Sequence, residues 1–211
     1  MKPEIEAKFL AVDHEALRAK LQEIGAVCRQ PMRLMKRRGY DFPDNRLRDA
    51  HNGWVRVRNE GDKITMSYKQ LDNRGLDGTK EIQLTIDSFE AADAFLCALG
   101  LEPNVYQETK RESWTLGDCE IELDHWPWTK PYVEMEAPDE QTLRGLAAKL
   151  GLDWAQVKHG SVEIVYRGEY DVTDAQVNAI PQVTFEDPVP EVLARAKRAS
   201  GEGAAAGDTP A

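Results

Sequence analysis

Glu4, Glu6 and Lys8 alternate with Ile5, Ala7 and Phe9 at the start of the chain. Successive side chains of a β-strand point to opposite faces, so this spacing puts two carboxylates and an ammonium in one row, with apolar residues behind. The parity returns further along. Arg56 and Arg58 share a face against Val55 and Val57, and Thr65, Ser67 and Lys69 oppose Ile64, Met66 and Tyr68. Glu81 and Gln83 oppose Ile82 and Leu84, while Thr109 and Arg111 share a face. Glu120, Glu122 and Asp124 oppose Ile121 and Leu123, and Glu134 and Glu136 flank Met135. Rows of carboxylates suit hard divalent cations such as Mg²⁺ or Mn²⁺. Rows of Arg and Lys suit phosphates, which a guanidinium grips bidentately.

Two architectures fit such strands. An antiparallel sheet can pack its apolar face on helices and leave its charged face in water. Alternatively the sheet curls into a barrel whose charged face lines a lumen. The segregation of sign from strand to strand favours the lumen, because like charges gathered out of water need an opposite charge to arrive. A lumen with both kinds of row is suited to a metal-complexed polyphosphate.

The elements that must position these rows are legible from periodicity. A strand over 4–11 precedes a helix with Asp13 as N-cap, Ala16, Leu17, Leu21 and Ile24 at helical spacing, and Gly25 as stop. The run Lys36-Arg37-Arg38 reads as a solvated loop or a basic collar for phosphate entry, and leads to a turn at Pro43-Asp44-Asn45. Alternating segments follow at 54–59, 63–70 and 79–87, then a helix over 89–98 capped by Ser88. Further alternation at 105–116, 118–125 and 131–137 precedes a helix over 139–150 that stops at Gly151. Short helical stretches are expected over 153–167 and 173–179. The fold class is α+β, one domain over 1–180. The remainder, 181–211, is rich in Pro, Ala and Gly and is expected to be a largely disordered tail, with 190–199 able to form a solvated helix.

With 211 residues and a net charge of −10, the chain does not have the basic balance of a general nucleic-acid or anionic-membrane binder. Cys28, Cys97 and Cys119 are odd in number, widely spaced and without CxxC pairing, which argues against disulfides and zinc. No 18-residue apolar stretch and no signal-like N-terminus are present, so a cytoplasmic protein, monomeric or homodimeric, is expected. His14, His51, His125 and His159 are scattered and read as surface or structural residues. Trp126-Pro127-Trp128 reads as cover for a barrel rim.

Taken in order, these residues resemble the CYTH superfamily of triphosphate tunnel metalloenzymes. Glu4-Ile-Glu6-Ala-Lys8 looks like its ExExK signature, Trp54-Val-Arg56-Val-Arg58 like its RxR strand, and Ser67-Tyr-Lys69 like the lysine that follows. Glu81, Arg111 with Trp114, Glu122-Leu-Asp124 and Glu134-Met-Glu136 resemble its later acidic and basic strands. The resemblance runs from residue 3 to about 168. It implies an eight-stranded antiparallel β-barrel, a triphosphate tunnel, with flanking helices. It implies a metal site of Glu4, Glu6, Glu134 and Glu136, with Glu122 and Asp124 as further acidic candidates and Glu81 and Glu120 as other acidic tunnel residues. Lys8, Arg56, Arg58, Lys69 and Arg111 are implied to hold phosphates, with Lys158 capping one mouth. Glu4, Glu6 and Lys8 are implied to form the catalytic row of a Mg²⁺- or Mn²⁺-dependent, two-metal enzyme. The reaction implied first is hydrolysis of inorganic or nucleoside triphosphate. The alternatives are a class IV adenylyl cyclase making cyclic AMP, a thiamine triphosphatase, and a non-catalytic polyphosphate-binding module. The sequence departs from the pattern at Thr109, where lysine is frequent, at Gln83, where a second glutamate is frequent, and at Arg38, where many members are acidic.

Overall fold

The computed structural model describes residues 2–72 and 78–198, and for residues 2–4 the backbone alone. The alternating segments are strands: β1 (Lys2–Glu4), β2 (Glu6–Phe9), β3 (Val27–Asp41), β4 (Gly53–Asn59), β5 (Ile64–Leu71), β6 (Thr79–Ile86), β7 (Glu102–Leu116), β8 (Cys119–His125), β9 (Tyr132–Glu136) and β10 (Gln182–Val183). The helices are α1 (His14–Glu23), α2 (Arg46–His51), α3 (Phe89–Ala98), α4 (Glu140–Leu150), α5 (Glu163–Glu169), α6 (Asp174–Asn178) and α7 (Glu191–Arg195), with a 3₁₀ turn at Trp154–Gln156. None of these helices is long and apolar enough to cross a membrane.

The strands run in the order β1-β6-β5-β4-β3-β7-β8-β9-β2, antiparallel throughout, with β10 added parallel to β7. β1 and β2 are two halves of one segment, interrupted at Ile5. The first half pairs with β6 and the second with β9. One segment therefore joins both ends of a curled eight-stranded sheet, β1 and β2 counting as one strand.

Helices cover the apolar outer face. Asp13 accepts from the amides of Glu15 and Ala16 and starts α1, which buries Leu17 and Leu21. Asp139 caps α4, and Gly151 ends it at φ +70°, a left-handed conformation that favours glycine. Leu143, Leu146, Ala147 and Leu150 of α4 join α1 over Ala7, Phe9, Ile121, Leu123, Val133 and Met135, the outward residues of β2, β8 and β9. On the other side Ala92 and Leu96 of α3 pack on Tyr40 and Val57. The Tyr40 hydroxyl and Arg38 both donate to Asp93, at 2.7 and 2.9 Å, which pins α3 to β3. The helical coat is incomplete, since Ile82 and Leu84 on β6 are half exposed.

Three sequence expectations are corrected. The basic run Lys36-Arg37-Arg38 is neither loop nor collar: it lies within the 15-residue strand β3. Pro31 and register shifts between Cys28 and Arg33 break the period-two signal there. The helical stretch expected over 153–167 divides into the 3₁₀ turn and α5, because Lys158 between them pairs with Lys8 through reciprocal backbone hydrogen bonds of 2.9 Å. The expected tail from 181 is packed as far as residue 198. Tyr106 N–H bonds the Pro181 carbonyl, Trp128 Nε1 donates to the Asp187 carbonyl, and Leu193 is fully buried with Trp126, Tyr166, Tyr170 and Val183. Few apolar residues are needed because Val183 and Leu193 each join a buried cluster around Trp126, Tyr132 and Tyr166. Residues 199–211 lie outside the described residues.

Leu193→Ala is expected to lower the unfolding free energy by about 2–5 kcal/mol, the cost of a leucine-sized cavity in a filled core. Urea denaturation measures this, and a chain ending at Ile180 is expected to lose at least as much.

Candidate active site in the tunnel

Inside the curled sheet lies a cavity of about 990 Å³ whose charges are sorted onto facing walls. The acidic wall comes from β2, β9 and β8. In the register Glu6 stands opposite Glu136, which stands opposite Glu120, and Lys8 stands opposite Glu134, which stands opposite Glu122. Directly opposed residues share a face with Cβ atoms about 5 Å apart, a spacing at which like charges repel. Lys8 relieves this: its Nζ lies 3.2 Å from Glu6 and 3.3 Å from Glu134. Burial alone lowers an ammonium's pKa, yet Glu134 and Glu6 outweigh it and hold Lys8 above its ordinary value. Burial likewise pushes Glu134 up, but Lys8, Arg111 and Lys69 overcome it and hold that carboxyl well below the usual range.

Glu122 behaves differently. Burial, with Asp124 and Glu134 nearby, pushes it up to about 7 against Arg111 and the Ser113 hydroxyl, which donates to it at 2.7 Å. Asp124, two residues on, is fully buried. It accepts both Nε and Nη2 of Arg111, at 2.7 and 2.5 Å. Its oxygens orient that guanidinium, and Asp124 is buried beside Arg111 and does not line the cavity as the other carboxylates do.

The basic wall comes from β3, β4, β5 and β7. Arg58 donates Nε and Nη2 to Glu60, at 3.0 and 2.6 Å. Arg56 lies 3.3 Å from one oxygen of Glu81, and Lys69 lies 3.5 Å from the other. Burial and then the Arg58 charge push Arg56 down to about 9 despite Glu81. Arg111 faces Arg33 across β7 and β3, and Arg58 faces Arg37 across β4 and β3. Arg33 donates to the carbonyls of Glu60 and Arg111 and to the Ser113 hydroxyl.

The cavity thus brings together Glu6, Lys8, Arg56, Arg58, Lys69, Glu81, Arg111, Glu120, Glu122, Glu134 and Glu136, all singled out in the sequence. Glu120 is the exposed one, at the rim. Lys158 does not line the cavity; its backbone extends the N-terminal segment instead, and His159 beside it approaches the Glu6 carbonyl at 3.1 Å. The backbone of Glu4 stands opposite Thr79, and its side chain lies outside the described residues. Arg37 was missed. It shares strand parity with Arg33, a signal hidden by the apolar pair Leu34-Met35 between them.

The acidic wall offers only carboxylate oxygens, the donor type that Mg²⁺ and Mn²⁺ prefer. Among the described residues no three acidic, His or Cys side chains converge into a preformed cage. The Lys8 ammonium sits between Glu6 and Glu134.

A family model described as the CYTH domain matches residues 2–161. Among solved structures, the PH1012 protein from Pyrococcus horikoshii OT3 aligns at TM-score 0.63 and 19% identity, covering 77% of this chain and 98% of its own. An adenylate cyclase candidate from Vibrio parahaemolyticus aligns at TM-score 0.66 and 19% identity, covering 79% and 98%. HpAC1 from Hippeastrum, an adenylyl cyclase candidate described with a dominant triphosphatase activity, aligns at TM-score 0.56 and 12% identity, covering 87% and 98%. No curated protein matches the chain. These identities support a shared fold, while the family match spans the segment that closes the sheet and every strand that lines the cavity. The chain belongs to the CYTH domain family.

Proposed function

We propose that the tunnel binds a triphosphate as its divalent-metal complex and hydrolyses the terminal phosphoanhydride. The observation that carries this reading is the single cavity with carboxylates on β2, β8 and β9 facing guanidiniums on β3, β4 and β7. A triphosphate with a dication offers both walls the opposite charge they lack. Glu6, Glu134 and Glu136 are the residues suited to hold Mg²⁺ or Mn²⁺, which when bound neutralises phosphate charge and lowers the pKa of a coordinated water. Arg56, Arg58, Lys69 and Arg111 bind phosphate oxygens, with Arg56 and Lys69 relinquishing part of their pairing with Glu81 as the ligand enters. Asp124 keeps the Arg111 fork fixed while this happens.

Hydrolysis needs a water oxygen to attack the terminal phosphorus in line while the bond to the bridging oxygen breaks and a proton leaves the water. Glu122, with its carboxyl titrating near neutrality, is placed to take that proton. From inorganic triphosphate the products are orthophosphate and pyrophosphate. The triphosphatase activity ascribed to HpAC1 supports this choice. Cyclisation of ATP is the second reading, favoured by the adenylate cyclase descriptions of the Vibrio parahaemolyticus and Hippeastrum neighbours. Incubation of the purified chain with inorganic triphosphate, ATP and thiamine triphosphate plus Mg²⁺ or Mn²⁺ separates them. Orthophosphate release supports hydrolysis, cyclic AMP supports cyclisation, and no turnover of any triphosphate sinks the enzymatic reading.

Glu136→Gln is expected to leave the fold intact and reduce turnover about a hundredfold or more, the loss of roughly 3 kcal/mol of transition-state stabilisation. Near-normal kcat at saturating metal removes Glu136 from the site.

The raised Glu122 pKa also predicts a pH dependence of stability in metal-free protein. Between its ordinary value near 4.5 and its folded value of about 7 the folded chain holds more protons than the unfolded chain. Its contribution is therefore favourable at low pH and is lost as pH rises through that window. The unfolding free energy of wild type relative to Glu122→Gln should fall from pH 4.5 to 7 and level off above, as read by denaturant titrations of both proteins.

A further inference from the structure

Each tunnel cation described so far has a carboxylate beside it or, for Arg33, neutral oxygens. Arg37 has neither in full. It is only 7% exposed, its Nη2 donates to the Thr109 hydroxyl at 2.5 Å, and its Nε–H has no hydrogen-bond partner. Among the described residues it makes no ion pair; its guanidinium carbon lies instead 4.7 Å from the centre of the Trp126 ring. Burial and the charges of Arg56, Arg58 and Arg111 all oppose its ionised state, with Asp124 a smaller counterweight. Arginine does not escape such a site by losing its proton, so the protein carries a buried, uncompensated charge.

Two more buried polar atoms in the same stretch of wall lack partners. They are Nε of Arg56 and the hydroxyl of Ser67, which stands opposite Arg56 on β5. A row of unsatisfied donors beside three mutually repelling guanidiniums is the imprint of an absent anion with several acceptor oxygens. We propose that Arg37 is a phosphate-binding residue of the tunnel, closing with Arg56 and Arg58 a three-guanidinium subsite that takes a terminal, unesterified phosphate group. The identity of the phosphate compound rests on the triphosphate reading above. Trp126 lies against the guanidinium and Thr109 holds its Nη2, which leaves the Nε–H on the same edge to meet a ligand oxygen. Terminal phosphates carry more charge than bridging ones, which matches the subsite's excess of positive charge.

The test is calorimetric titration of the full chain in EDTA, which prevents metal-dependent turnover, using inorganic tripolyphosphate, pyrophosphate and orthophosphate. Arg37→Gln is expected to weaken tripolyphosphate binding about 10- to 100-fold, and Arg37→Lys, which keeps the charge without the fork, by less. Without ligand, Arg37→Gln is expected to melt at or above the wild-type temperature, because an unpaired buried charge has been removed. Wild-type affinity together with a lower melting temperature in Arg37→Gln makes Arg37 a structural residue and overturns the proposal. Should Arg37→Gln fail to fold, unchanged affinity in Arg37→Lys overturns it equally. If wild type binds pyrophosphate or orthophosphate through Arg37 but not tripolyphosphate, the triphosphate reading fails and Arg37 stands. If wild type binds none of the three, either in EDTA or in excess Mg²⁺, both fail.

Discussion

Charge balance inside the sheet is the constraint on which the rest of this structure depends. An ammonium, Lys8, sits between two carboxylates, Glu6 and Glu134, and a guanidinium, Arg111, is clasped by Asp124. Glu81 is divided between Arg56 and Lys69, and Glu60 is held by Arg58. These internal pairs let so many ionised groups leave bulk water, where each lone ion costs several kcal/mol to desolvate. They are also of moderate length, 3.2–3.5 Å for Lys8, Arg56 and Lys69. On the proposed reading, pairs of that kind are exchanged for phosphate oxygens or a cation without leaving a partner stranded. The pairs of Arg111 with Asp124 and of Arg58 with Glu60 are tighter, at 2.5 and 2.6 Å.

The outer layers follow from this. A sheet with a charged inner face must present its apolar residues outward, and α1, α3 and α4 exist to cover them. The third cluster, built from α5, α6, β10 and α7 around Trp126 and Tyr132, seals the side of β8 and β9 that the first two leave bare. Arg37 is held from this cluster, through the ring of Trp126. The C-terminal segment therefore supports the tunnel wall although only its beginning lies near the cavity.

Most of the inner face could be read directly from the chain, because period-two alternation survives wherever a strand is regular. Arg56-Val57-Arg58 and Glu134-Met135-Glu136 each declare a charged face and an apolar one, and the structure puts those faces where parity says. Parity gives a side, not an occupation. Asp124 has the correct side, yet its oxygens are consumed by Arg111, which no one-dimensional pattern reveals. Arg37 was hidden for the opposite reason: β3 combines Pro31, irregular register and the neighbouring apolar residues Leu34 and Met35, so its alternation fails before the side can be assigned. The packing of 181–198 escaped because average composition there is that of a loose tail, while Val183 and Leu193 act singly through their positions.

The closure of the sheet has a consequence for how the chain reaches this structure. Glu6 must find Glu136, a partner 130 positions later (136 − 6), and β1 must find β6 some 75 later, as in Glu4 with Thr79 (79 − 4). During synthesis the first strand therefore emerges long before β9 exists. High contact order of this kind slows folding and prolongs exposure of unpaired edges. The charges at Glu4, Glu6 and Lys8 discourage edge-to-edge association during that wait, as charged residues on exposed strands commonly do. The row whose Glu6 and Lys8 line the cavity of the finished protein thus keeps the unfinished one from pairing with its neighbours.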